Sequence, residues 1–86
     1  MNLSKINKTL IIRLSSLGDV LLTTPLIRSL KSTYPHLCID FIVRSEYEDV
    51  VKHNSNISNI ISIKRNYDVK SLREQIYKNK YDLIIF

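Results

Sequence analysis

The sequence predicts an α/β fold, a parallel sheet with helices on its faces. Three observations predict it. Apolar runs of strand length alternate with longer segments of helical periodicity, in the order β-α-β-α-β-α-β. The first run, Leu10-Ile11-Ile12, is apolar without alternation, as in a strand covered on both faces. The only glycine of the chain, Gly18, falls just past that run, where strand should give way to helix. Such an alternation implies right-handed crossovers between parallel strands.

Each element has its own justification. Lys8 to Leu14 reads as the first strand and Ser15 to Asp19 as the turn after it. Glycine suits that turn because it takes φ > 0 without a Cβ penalty and lets a ligand approach the backbone. The first helix has two possible starts. Thr24 before Pro25 makes a good N-cap followed by proline at the first helical position; alternatively one helix begins near Asp19 and Pro25 kinks it. Either way Leu22, Leu26 and Leu30, with Ile27, form the stripe expected to face the sheet. Tyr34, preceding Pro35, is pushed out of the α region and ends the helix. Cys38 to Val43 reads as the second strand. A short helix over 45–53 follows, capped by Ser45, with Glu46, Glu48 and Asp49 near its positive end. The turn 54–56 leads to a third strand within Ile57 to Ile63. A loop at 66–68 precedes a helix from Val69 to Asn79 whose Leu72, Ile76 and Val69 face inward. Tyr81 to Phe86 opens a fourth strand. A sheet ended there leaves apolar surface uncovered, so an incomplete domain is expected.

Composition bounds the function classes. The chain has 86 residues, enough for one domain or less. Hydrophobic residues make up 44% and charged residues 24%, the balance of a globular protein and not a disordered one. The apolar run after Lys5 and Lys8 is too short for a signal peptide, and none is long enough to span a bilayer, so a cytoplasmic protein is expected. Cys38 is the only cysteine, which points to a buried, inert thiol. The formal charge is +5, concentrated in the first half. That favours a phosphate-bearing partner or an anionic membrane face. The basic residues are scattered and have no interleaved aromatics, which argues against nucleic acid.

In open α/β sheets, ligands bind beyond the carboxyl ends of the strands, and Ser15 to Asp19 lies there. The turn lacks the Gly-x-Gly-x-x-Gly dinucleotide fingerprint and the Gly-Lys-Ser/Thr ending of a P-loop. One glycine, two hydroxyls and one acid suit a hydroxylated ligand as well as a phosphate. Asp19, at the positive end of a helix, is favoured as a carboxylate; the plain alternative is that it only caps the helix.

Residues 10–31, Leu-Ile-Ile-Arg-Leu-Ser-Ser-Leu-Gly-Asp-Val-Leu-Leu-Thr-Thr-Pro-Leu-Ile-Arg-Ser-Leu-Lys, resemble the N-terminal signature of glycosyltransferase family 9, the ADP-heptose:lipopolysaccharide heptosyltransferases. The likeness continues through Tyr34-Pro35, residues 39–43 and Lys80 to Ile85, and is most specific over residues 13–25. It implies a GT-B fold, two Rossmann-like domains facing across a cleft. Residues 1–86 would be the incomplete N-terminal, acceptor-side domain, with the nucleotide-sugar domain absent. Many members carry an acid where this chain has Phe86. The resemblance implies inverting transfer of heptose from ADP-heptose to the lipopolysaccharide inner core or lipid A acceptor, with Asp19 as catalytic base and Ser15, Ser16 and Gly18 approaching the sugar. It implies no metal and no cofactor, and peripheral contact with the inner face of the cytoplasmic membrane. Two competing expectations are a truncated, non-catalytic Rossmann-like remnant and a phosphate-binding or redox domain of the same architecture.

Overall fold

The computed structural model describes residues 5–14 and 16–86. Its elements are β1 (Lys8–Arg13), α1 (Leu17–Thr33), β2 (Cys38–Arg44), a 3-10 turn (Ser45–Tyr47) running into α2 (Glu48–Val51), β3 (Asn59–Ile63), α3 (Val69–Asn79) and β4 (Leu83–Ile85). The sheet order is β3-β2-β1-β4, and every pairing is parallel. Ile11 sits opposite Phe41 and Ile85, and Ile42 opposite Ile12 and Ile61. The expected α/β architecture is therefore present.

The pleat sends alternate residues to opposite faces, and both faces of the central strands are covered. On one face Ile11, Ile39, Phe41 and Val43 pack with Val20 and Ile27 of α1, Leu37, and Val51 of α2. On the other, Leu10, Ile42 and Ile63 meet the half-buried Leu72 and Ile76 of α3. This explains the unbroken apolar run of β1. The second face is covered less completely. Tyr77 and Phe86 are more than four-fifths exposed, and Val69, expected to face inward, is 56% exposed.

α1 is one continuous helix from Leu17, so the start at Pro25 is not used. Pro25 has no N–H to give the Leu21 carbonyl, and the Thr24 hydroxyl donates to that carbonyl instead, at 2.7 Å. Thr24 thus repairs the helix and does not cap it. The buried face also differs from the expected one. Val20, Thr23 and Ile27 are buried and Leu30 packs against the same core, whereas Leu22 is 76% exposed and Leu26 41% exposed. Residue Tyr34 closes the helix, its N–H reaching Leu30 O at 2.8 Å, as the following proline requires. Lys31, in the last turn, donates to the carbonyls of Pro35 and Leu37.

The segment after β2 forms a 3-10 turn and a short helix without side-chain capping by Ser45. α3 has the expected bounds. The Asp68 side chain caps it, accepting from Lys70 N at 3.0 Å and Ser71 Oγ at 2.9 Å, and Lys80 closes it in the left-handed region at φ 52°. Among the described residues no helix is long and apolar enough to cross a membrane.

Candidate active site

The carboxyl end of β1 feeds straight into the N-terminus of α1. Ser16 is the N-cap, with extended backbone angles, and its side chain accepts from Asp19 N. Asp19 is therefore the third residue of the helix, where the unsatisfied N–H groups and the helix dipole favour negative charge. Its side chain is exposed. Ser16 Oγ lies 3.0 Å from Asp19 Oδ2 and 3.3 Å from Asp19 N. From within the helix, the Thr23 hydroxyl donates to Asp19 O at 2.8 Å. Thr23 is 3% exposed, so this contact is part of the packed face.

The expected site residues fare differently. Ser16, Gly18 and Asp19 are brought together at the head of α1. Ser15 lies outside the described residues. Gly18 does not use its freedom to adopt positive φ; it sits in the first turn of α1, and no glycine lies in the left-handed region. A Cβ built there would meet Ser16 Oγ at 3.8 Å, an ordinary contact. Neither the backbone nor packing among the described residues demands glycine. Arg13 turns its guanidinium back on the chain, Nη1 donating to Ile12 O at 3.0 Å.

Asp19 stands on an open rim and lines neither of two concavities elsewhere in the fold. One, of about 270 Å³, lies between Thr24, Pro25 and Arg28 of α1 and Asn54 and Asn56. The other is apolar, about 400 Å³, and lies between α3 and the ends of β1 and β4, lined by Leu14, Leu72, Ile84 and Phe86 among others.

Sequence reasoning passed over a second polar cluster at the opposite rim. Asp40, on β2, is 5% exposed. Its carboxylate accepts from Tyr81 Oη at 2.6 Å and from Asn59 Nδ2 at 2.9 Å. Burial, then the hydrogen bond to Asp40, pushes the Tyr81 phenol well above its ordinary range. Asp82 accepts from the backbone N–H groups of Lys8 and Asn7 at 2.9 and 3.0 Å, which hold its carboxyl below the usual value. Lys8 Nζ completes the clamp, donating to Asn79 O and lying 5.1 Å from the Tyr81 ring centre. Cys38, expected to be buried, is only half-buried, its Sγ 3.9 Å from Asp40 Oδ1. One signal for this cluster was present in the sequence: a lone acid in the middle of an apolar strand.

No protein-family model matches the sequence. Over 76 residues the chain is 36% identical to lipopolysaccharide heptosyltransferase 3 of Escherichia coli, and 33% identical to the protein of that name from strain K12. Each match takes in 79% of this chain and 22% of the relative, so the chain spans about a fifth of the length of these curated relatives. Among solved structures, a glycosyl transferase family 9 protein from Veillonella parvula DSM 2008 superposes with a TM-score of 0.77 at 28% identity, covering 91% of this chain and 25% of that one. The E. coli heptosyltransferase WaaC, solved with ADP, superposes with a TM-score of 0.75 at 25% identity, covering 90% of this chain and 26% of that one.

Proposed function

The chain belongs to glycosyltransferase family 9, and from that premise we propose that it supplies the acceptor-side wall of an inverting heptosyltransferase. Residues 1–86 form the beginning of the N-terminal domain of a GT-B enzyme, and the nucleotide-sugar domain is contributed by sequence outside them. The reaction is transfer of heptose from ADP-heptose to a hydroxyl of the lipopolysaccharide inner core, on the cytoplasmic side of the inner membrane. A carboxylate exposed at the carboxyl rim of β1 and seated on a helix N-terminus is the observation that carries this reading.

The chemistry asks for a base. As the acceptor oxygen attacks the anomeric carbon, the bond to the ADP leaving group breaks and the attacking hydroxyl becomes acidic. Asp19 takes its proton at that stage. An aspartate is ionised at neutral pH, and the positive helix end favours that form. Being a weak base, it works late, as proton and charge sink. Ser16 and Gly18 line the approach to the acceptor sugar, and Gly18, with no side chain, leaves room for it beside the helix N-terminus. An open rim suits one wall of a cleft whose other wall is a second domain. No metal or cofactor enters the scheme.

The test is a chimera in which this chain replaces the matched part of E. coli heptosyltransferase 3. With saturating donor, Asp19→Ala should lower turnover by roughly 10²–10⁴, the scale of general-base loss. Turnover equal to that of the unmutated chimera would remove Asp19 from the role.

A further inference from the structure

We infer that Ser16 is a positioning residue for Asp19: its hydroxyl fixes the direction in which the carboxylate faces at the carboxyl end of β1. This deepens the reading of Asp19 as the base and rests on it. Ser16 Oγ faces two partners on the same residue, the backbone N–H of Asp19 at 3.3 Å and Oδ2 of its carboxylate at 3.0 Å. The N–H can only donate, so Oγ accepts there, and its single proton is left for Oδ2. A serine that merely caps a helix needs only the first of these bonds. In a capping box the acid at the third helical position reaches back to the backbone N–H of the cap. Here the cap hydroxyl also gives its proton to Oδ2.

The main chain beneath the carboxylate is held as well. The buried Thr23 hydroxyl grips Asp19 O at 2.8 Å, and Val20 N reaches Ser16 O at 3.2 Å. With the backbone held on both sides, the hydroxyl of Ser16 acts on the side-chain torsion. A base misplaced by an ångström loses rate through lost alignment and not through lost affinity.

Three variants separate positioning from capping. Ser16→Gly keeps most of the capping, since glycine costs only a few tenths of a kcal/mol against serine there, but removes the hydroxyl. Ser16→Thr restores the hydroxyl, and Ser16→Ala removes both. The first readout is the NMR pH titration of the Asp19 side-chain carboxyl carbon in the 86-residue protein. Losing a donor to the charged form raises the midpoint, so Ser16→Gly and Ser16→Ala should titrate above the wild type, with Ser16→Thr beside it. The second readout is steady-state transfer by the chimera. Ser16→Gly should lower kcat about tenfold, move the acidic limb of the kcat profile upward, and be rescued by Ser16→Thr. A Ser16→Gly protein with wild-type titration, or with wild-type kcat, overturns the inference. If Asp19→Ala keeps full turnover, the base reading falls whatever Ser16 does; if Asp19→Ala is inactive while Ser16→Gly is unchanged, only the role of Ser16 falls.

Discussion

The two rims of one sheet use their carboxylates in opposite ways. At the carboxyl rim Asp19 is exposed, seated on a helix N-terminus and held by a neighbouring hydroxyl. At the amino rim Asp40 is buried under Tyr81 and Asn59, and Asp82 is tied to the backbone of β1. The chemistry of the group is the same; its surroundings differ. Polar groups at the amino rim complete the fold, because a buried acid must be hydrogen-bonded. At the carboxyl rim the helix supplies the field that an anion needs, and the side chain stays accessible to solvent. Substitutions of the amino-rim acids should therefore cost stability, and substitution of Asp19 at the carboxyl rim should cost turnover.

The largest stability effect should come from Asp40→Ala. It takes the acceptor from the half-buried Tyr81 hydroxyl and the exposed Asn59 amide, and should cost about 2 kcal/mol in chemical denaturation. Tyr81→Phe removes one donor of the same cluster and should cost about 1–2 kcal/mol at pH 7. Because the phenol titrates higher folded than unfolded, its contribution is full below about pH 10 and fades as the pH rises beyond that. The stability gap between wild type and Tyr81→Phe should accordingly narrow in strong alkali.

Gly18→Ala sharpens the comparison from the other side. The site has room for the methyl group, and alanine is the better helix former, so the protein should gain up to about 1 kcal/mol. The same methyl should lower turnover of the chimera if the acceptor approaches the helix N-terminus. Thr9→Val tests the amino rim again. The Thr9 hydroxyl is buried and finds no hydrogen-bond partner, so its removal should stabilise by up to about 1 kcal/mol. Asp82 should give the smallest effect. Its carboxyl titrates lower folded than unfolded, so its contribution is present above about pH 4 and is lost as the pH falls through the depressed value. The amide shifts of Asn7 and Lys8 should follow that titration, and Asp82→Asn should flatten it.

Much of this was legible in the residues, for particular reasons. The strand at 38–44 and the helix at 69–79 are bounded by strong local signals: Pro35 and a mostly apolar run for the first, Asp68 and a three- and four-residue spacing for the second. α1 misled on two counts. Leucines at 17, 21, 22, 26 and 30 populate several faces of the helix, so spacing alone did not say which face is buried; the chain chose Val20, Thr23 and Ile27. Thr24-Pro25 looks like a helix start, but Thr24 can donate to the carbonyl that Pro25 leaves bare, which lets the helix run through. Asp19 was legible because one turn at the end of one strand contains its setting. The Asp40 cluster was not, because its partners lie 19 and 41 residues away and meet only through the register of the parallel sheet.

The most direct measurement compares Asp19→Asn with Asp40→Asn in the chimera, recording single-turnover transfer rate and unfolding midpoint for each. The account predicts that Asp19→Asn abolishes nearly all transfer while its midpoint stays near that of the unmutated chimera, and that Asp40→Asn lowers the midpoint while folded molecules still transfer heptose. Transfer by Asp19→Asn at the unmutated rate would contradict it.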